Sequence, residues 1–329
     1  MRIISRDGYF DSLAGTRRPY HDQYRALYAS DLDGIVLDPL LMRIPIDDHM
    51  VHRGDGAFEM CKCVDGGIYN LGAHLTRLRI SLQALDLNLP VQEEVLPAII
   101  VQTVQASGLR DAAVRIYVSR GPGSFGVNPA DCPVAHLYVA VSTLSPGFME
   151  QHPAGAKVGI SRIPLKPGMF ATMKHCNYLP NVMMKQEALC RGVDFVIGCD
   201  HEGYLAEGPT ENFGIVTGDG GLVFPQTDRV LSGTTMVRVL ELAGELVRTG
   251  QLVSAGYGRI APEDVHAAAE VLIVGTTTDV THVCSFEQSC WKDMGPVTAA
   301  LRAALLHDIQ SNPSVRTGCS GLPPADDAA

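Results

Sequence analysis

The sequence is short of the features that mark several protein classes. No apolar run reaches the roughly 20 residues needed to cross a bilayer, and Met1–Tyr20 carries arginines without the apolar stretch of a secretory signal. Together these absences predict a cytoplasmic protein with no membrane partner. Basic charge is also scarce, with 26 Lys and Arg against 36 Asp and Glu, a net charge of −10 and a pI of about 5.5. A nucleic-acid binder normally shows a basic footprint, so no nucleic-acid partner is expected. The nine cysteines are scattered, and no Cys-x-x-Cys pair occurs among them. That predicts reduced thiols, no zinc and no other metal; Cys61-Lys62-Cys63 reads as strand text. No internal repeat is present. What remains is a globular balance, 46% hydrophobic and 19% charged, over 329 residues. Such a chain can bury a large core as two domains or one large one.

Residues 1–30 are polar and aromatic with no clear period. Strand text follows at Ile35–Leu37 and Met42–Ile46, then a hairpin of Ala57–Cys63 and Gly67–Leu71 across Asp65-Gly66-Gly67. Leu75, Leu78, Leu82 and Leu85 repeat at helical spacing over His74–Leu87, and Val95, Ile99, Ile100 and Val104 do so over Val91–Ala106. Two more strands are expected at Ala113–Ser119 and Ala135–Ser142. The Pro- and Gly-bearing stretch from Leu144 to Gly155 is the best linker. The chain therefore divides into a small N-terminal α+β domain at 1–143, a linker at 144–155, a larger α/β domain at 156–310 and a tail at 311–329. Short strands are expected in the larger domain at Lys157–Ser161, Phe195–Gly198, Tyr204–Leu205, Phe213–Val216, Leu222–Phe224 and Val271–Val274. Its helices fall at Pro180–Gly192, Thr234–Thr249 and Pro296–Gln310. The tail, rich in Ser, Pro, Gly and Ala and ending in acidic Asp326 and Asp327, is expected to be extended or disordered.

One stretch organises the rest: Ala171-Thr172-Met173-Lys174-His175-Cys176-Asn177-Tyr178-Leu179-Pro180-Asn181-Val182. Asn177 is a plausible helix N-cap and Pro180 suits a first helical turn. Lys174 thus lies just before a helix, among small and apolar neighbours. Partial desolvation there would lower its pKa and free the amine for Schiff-base chemistry. Taken alone, it reads as an ordinary loop lysine. It is accompanied by Leu205-Ala206-Glu207-Gly208-Pro209-Thr210-Glu211-Asn212-Phe213, by Leu231-Ser232-Gly233-Thr234-Thr235 opening a helix, by His52-Arg53-Gly54-Asp55-Gly56-Ala57-Phe58-Glu59, and by His74-Leu75-Thr76-Arg77-Leu78. Taken in their order along the chain, from about Val36 to about Leu306, these stretches resemble the class IV (fold type IV) pyridoxal-phosphate aminotransferases.

The resemblance implies a small domain followed by a larger pseudo-barrel domain, pyridoxal 5'-phosphate as cofactor, and a homodimer in which a loop from the partner completes the pocket. Arg120–Asn128 is the candidate loop. Lys174 is implied to carry the cofactor and shuttle a proton, with neighbouring His175 pointing elsewhere. Glu207 is implied to hold the pyridine nitrogen, with Asn212 completing its Glu-Gly-x-x-x-Asn pattern and Glu211 as the rival carboxylate. Arg77, Thr234, Thr235 and Thr276 are implied phosphate ligands, since a helix start favours an anion and an arginine adds a charge-assisted bond. Tyr178 would approach the 3-hydroxyl or the Schiff base. Thr277 would border the substrate carboxylate, and Phe58 would wall the substrate pocket.

Within the family the text is closest to plant-type D-amino-acid transaminases. Bacillus-type D-amino-acid aminotransferases trap the substrate carboxylate with a tyrosine and an Arg-x-His; this chain departs from them, with Phe58 at the tyrosine position and no Arg-x-His around Phe125–Val127. Met236 stands where many members carry an arginine. Arg53 and Arg120 are then the leading cations for a substrate carboxylate. The reading favoured is a transaminase moving an amino group from an amino acid, a D-amino acid foremost, to a 2-oxo acid such as pyruvate or 2-oxoglutarate. A 4-amino-4-deoxychorismate lyase and a branched-chain L-amino-acid aminotransferase are the alternatives. A non-catalytic protein that keeps the fold is opposed by the intact Lys174 and Glu207.

Overall fold

The structure, a computed structural model, describes residues 1–322. Its two compact units are not single runs of sequence. The first takes Met1–Leu71, Leu85–Leu144 and the described chain from Arg316 to Leu322; the second takes Gly72–Ala84 and Ser145–Val315. The leucine-patterned helix, Leu71–Ala84, therefore belongs almost wholly to the second unit although it lies early in the sequence.

A seven-stranded sheet forms the first unit, in the order Arg316–Gly318, Gly67–Tyr69, Gly56–Val64, Ala112–Ser119, His136–Thr143, Tyr24–Ala29, Gly34–Val36. All its pairings are antiparallel, with Cys61 opposite Val114 and Val114 opposite Val141 at the centre. The helix Leu96–Ser107 lies against this sheet with Ile99, Ile100, Thr103 and Val104 buried, and stops at Gly108, whose φ of 69° glycine adopts without strain. It starts later than the periodicity suggests, because Val91–Val95 turns before Pro97 fits the first helical turn. The N-terminal stretch, read as aperiodic, holds a helix at Arg6–Leu13 capped by the Ser5 hydroxyl.

The described part of the tail is extended chain that joins a sheet. Helix Pro296–Ser311 runs into it, and Arg316–Gly318 is an edge strand on Gly67–Tyr69. Arg-Thr-Gly has no apolar alternation to announce a strand; the open N–H and C=O groups of the Gly67–Tyr69 edge select it. The remainder of that expectation, residues 323–329, lies outside the described residues.

The second unit has an eight-stranded mixed sheet. Its central strand, Glu270–Gly275, pairs antiparallel with Asn212–Val216 and Asp279–Phe286, while Ala156–Ile160 runs parallel to both Asp279–Phe286 and Phe195–Ile197. Val271, Ile273, Phe213, Ile215, Val283 and Phe286 form its core, as a near-continuous apolar run buried on both faces should. The expected Tyr204–Leu205 strand is only a bridge between Leu205 and Cys199. Ser254–Gly258, unannounced in the sequence, adds a parallel edge strand. The whole is a mixed α/β fold, as expected. Among the described residues no helix is long and apolar enough to cross a membrane.

Candidate active site

The site lies entirely within the second unit, where loop ends and helix starts converge beside the central strand. The helix Leu71–Ala84 supplies one wall. His74, Arg77 and Ser81 share a face, as spacings of three and four residues require. The Arg77 guanidinium donates to the Ser232 carbonyl at 3.0 Å, His74 Nε2 meets Thr234 Oγ1 at 3.2 Å, and Ser81 Oγ accepts the Lys174 N–H at 3.0 Å. One helix face thus fixes both the start of the helix Thr234–Arg248 and the backbone of Lys174.

Lys174 follows the short helix Met169–Thr172 and precedes Leu179–Arg191. Its Nζ is 3.3 Å from Tyr178 Oη. The N-cap of the second helix is Tyr178, with no side-chain cap, and not Asn177; the Asn177 N–H instead donates to His175 Nδ1 at 3.1 Å. His175 is buried, and chiefly through that burial its pKa is pushed down to about 4, so it is neutral near pH 7. It is not among the lining residues.

Opposite Lys174, Glu207 is buried, and one of its oxygens accepts the Leu231 N–H at 3.0 Å. Burial pushes its carboxyl up to about 7 against the pull of Lys166, the Leu231 N–H, Lys174 and Arg77. The rival Glu211 also lines the pocket, but its carboxylate accepts from its own neighbour Thr210, through both the backbone N–H and the hydroxyl. Asn212 bridges to Glu207 along the backbone and its amide donates to the Leu231 carbonyl at 3.1 Å. A Cβ at Gly233 would fall 1.8 Å from Asn212 Oδ1, so only glycine lets the chain pass there. Directly after it, Thr234 and Thr235 open the helix Thr234–Arg248, buried, with the unpaired N–H groups of the first turn. Thr276 closes the cup after Gly275; Thr277 is exposed and does not line it.

The structure thus gathers Lys174, Glu207, Arg77, Tyr178, Asn212, Thr234, Thr235 and Thr276 into one pocket. It adds Lys166 and Asn181, for which the sequence reading had no role, and brings His74 and Ser81 behind them. Asn181 stands one helical turn after Tyr178, and His74 and Ser81 stand at helical spacing from Arg77, so periodicity carried a signal for those three. Lys166 sits in Pro164-Leu165-Lys166-Pro167-Gly168, where no period operates.

Phe58, Arg53 and Arg120 belong to the first unit. Phe58 is half-buried and stacks on Tyr117 at 5.8 Å. Arg53 donates to the carbonyls of Gly126, His52 and Phe125. Arg120 makes a bidentate pair with Asp55 and donates to the Leu85 and Asp86 carbonyls. Every nitrogen of both guanidiniums donates within that unit, so either arginine would have to exchange a bond to take the substrate carboxylate expected of it. Among the described residues no cluster of His, Cys, Asp and Glu could hold a metal ion.

These groups line one pocket of the second unit, and the comparisons say which family the chain belongs to. The sequence model of the family described as amino-transferase class IV matches residues 56–286. The chain belongs to this family, and it is an enzyme. It is 39% identical over 298 residues to a D-amino-acid transaminase, chloroplastic, from Arabidopsis thaliana, covering 89% of this chain and 79% of that one. A putative branched-chain-amino-acid aminotransferase from Methanocaldococcus jannaschii is 27% identical over 273 residues, 82% of this chain and 93% of the relative. In fold, the chain resembles the crystal structure of a branched-chain aminotransferase from the thermophilic archaeon Thermoproteus uzoniensis with norvaline, with a TM-score of 0.80, 22% identity, and coverage of 90% of this chain and 99% of that one.

Proposed function

We propose that the chain is a pyridoxal-phosphate transaminase that takes an amino group from a D-amino acid and gives it to a 2-oxo acid such as pyruvate or 2-oxoglutarate. The observation that carries the reading is the meeting of Lys174, Tyr178 and Glu207 beside the anion cup. The residues fit the cofactor: Arg77 and the buried start of a 15-residue helix suit a phosphate, and Asn181 Oδ1 is buried with no partner among the described residues. When bound, the cofactor supplies a conjugated ring that draws electrons from the substrate Cα. Lys174 Nζ would hold it and, once released, carry the proton from Cα. The Tyr178 hydroxyl, 3.3 Å from that Nζ, would keep it oriented. Glu207 would retain the proton on the ring nitrogen. Arg77, Thr234, Thr235 and Thr276 would hold the phosphate, and the Thr276–Thr277 turn would receive the substrate carboxylate.

The D-amino-acid choice is supported by the Arabidopsis relative and by the plant-type text of Phe170–Lys174 and Asn177–Asn181. We also propose a homodimer, supported by an apolar stripe on the helix Leu179–Arg191: Leu179, Val182 and Met183 are 65%, 59% and 43% exposed. The nine cysteines are free, which supports a reducing compartment such as the cytoplasm. The test is to follow the visible absorbance of the purified holoenzyme while adding D- and L-amino acids singly, then assaying the 2-oxo acid formed. Loss of the band with D-donors supports the reading. Consumption of branched-chain L-donors alone would replace it with the branched-chain reading, and consumption of aminodeoxychorismate alone with the lyase.

A further inference from the structure

The second lysine of the pocket has no part in the chemistry above. Lys166 lies in the connection between the strand Ala156–Ile160 and the helix Met169–Thr172, and that connection is built to aim it. Its start is tied by Glu187, which accepts from Ser161 Oγ at 2.8 Å and from the Arg162 N–H. Ile163 and Leu165 pack onto the cluster of Met184, Ala188 and Val196, and Leu165 fills the space a Cβ at Gly198 would need, 2.5 Å away. Pro164 and Pro167 stiffen the backbone on either side. With Ile163 and Leu165 turned into that cluster, Lys166 turns to the opposite side and lines the site.

There its Nζ stands 4.7 Å from the centre of the Tyr178 ring, on which Lys174 Nζ also sits at 5.7 Å. Among the described residues Lys166 makes no hydrogen bond or ion pair, so the ring face and the charge of Glu207 are what it answers to. Burial lowers its affinity for a proton and Glu207 raises it. Facing Glu207 are Lys166, Lys174, Arg77 and the Leu231 N–H; facing Lys166 are Glu207, Tyr178 and the neutral His175. Resting on the functional reading above, Lys174 is occupied by the cofactor and Arg77 by its phosphate in the working enzyme. We propose that Lys166 is a positioning residue: it is the standing positive charge that keeps Glu207 ionised, and so keeps the shared proton on the cofactor's ring nitrogen.

The sign follows from electrostatics. Removing a cation beside Glu207 raises that carboxyl's proton affinity more than it raises the ring nitrogen's, so the shared proton moves to Glu207. The experiment is ¹⁵N NMR of holoenzyme loaded with ring-¹⁵N pyridoxal phosphate, comparing the parent with Lys166→Met, Lys166→Gln and Lys166→Arg. The expected result is a ring-nitrogen signal moved toward the unprotonated position in the Met and Gln variants and unmoved in the Arg variant. Failure of the Met and Gln variants to retain cofactor while the Arg variant does retain it would also support a need for the charge. An unchanged nitrogen signal in Met and Gln variants that hold cofactor on Lys174 overturns the proposal. So does loss of cofactor in all three variants, since charge is then not what position 166 supplies. Cofactor fixed by borohydride to a lysine other than Lys174, or a ring nitrogen already unprotonated in the parent, refutes the functional reading itself.

Discussion

Arg53 and Arg120 in the first unit and Lys166, Lys174 and Arg77 in the second are all cations beside polar chain, and their surroundings differ in kind. Arg120 has each nitrogen paired, with Asp55 and with backbone carbonyls. The second unit gathers three cations around the buried carboxylate of Glu207. Charges that are fully bonded brace a loop. Charges crowded around one buried carboxylate raise the energy of the empty pocket and make it receptive to an anion. The contrast separates architecture from chemistry without reference to family.

The most severe way to break the contrast is at Lys174. Lys174→Ala should lower transamination by about 10²–10⁴-fold, the usual worth of a positioned proton-transfer group, and borohydride should then fix no cofactor to the protein; peptide mapping of the parent should find the adduct at 174. Glu207→Gln comes next. It should retain cofactor yet lose about 3 kcal/mol of transition-state stabilisation, as expected for one electrostatic group, measured as a fall in kcat. The same substitution tests the stored cost. Because burial lifts the Glu207 carboxyl from 4.5 to about 7 in the fold, its stabilising effect is full below 4.5 and is lost as pH rises through 7. The apo Glu207→Gln variant should therefore melt above the apo parent at pH 8, by the equivalent of about 3 kcal/mol, with the gap closing toward pH 5. Equal melting at both values would show that the carboxylate is not strained.

Smaller effects sharpen the comparison. Arg77→Ala should weaken cofactor affinity by roughly 1.5–3 kcal/mol, the worth of a charged hydrogen bond, with little change in stability of the first unit. Arg120→Ala should do the reverse: a loss of about 1.5–3 kcal/mol in unfolding free energy and an unaltered dissociation constant for the cofactor. Arg53 is exposed, so Arg53→Ala should cost under about 1 kcal/mol and show itself as faster proteolysis near Phe125 and Gly126. A raised Michaelis constant in either arginine variant without loss of stability would return them to the substrate.

Much of this was legible beforehand where a residue's meaning is local. Lys174, Glu207 and Gly233-Thr234-Thr235 sit in motifs whose backbone geometry is set within a few positions, and the leucine spacing of the Leu71–Ala84 helix exposes Arg77's face. The strand Val271–Val274 announces itself by its unbroken apolar run. Lys166 was not legible, because its direction depends on Ile163 and Leu165 finding Met184 and Val196, a tertiary event. Ser254–Gly258 was invisible because Ser-Ala-Gly-Tyr-Gly lacks β-branched residues. The pairing of Arg120 with Asp55 depends on a register that no spacing shows.

The strand Arg316–Gly318 has a consequence for biosynthesis. Arg316 reaches back 252 positions to donate to the Val64 carbonyl. A chain leaving the ribosome therefore presents the Gly67–Tyr69 strand with its outer edge bare while the whole second unit is still being made. At the usual synthesis rate of roughly 5–20 residues per second, that edge stands open to a neighbouring nascent chain for on the order of ten to fifty seconds. The charge on Arg316 matters only at the end; until then, protection of the edge falls to whatever meets the chain on its way out.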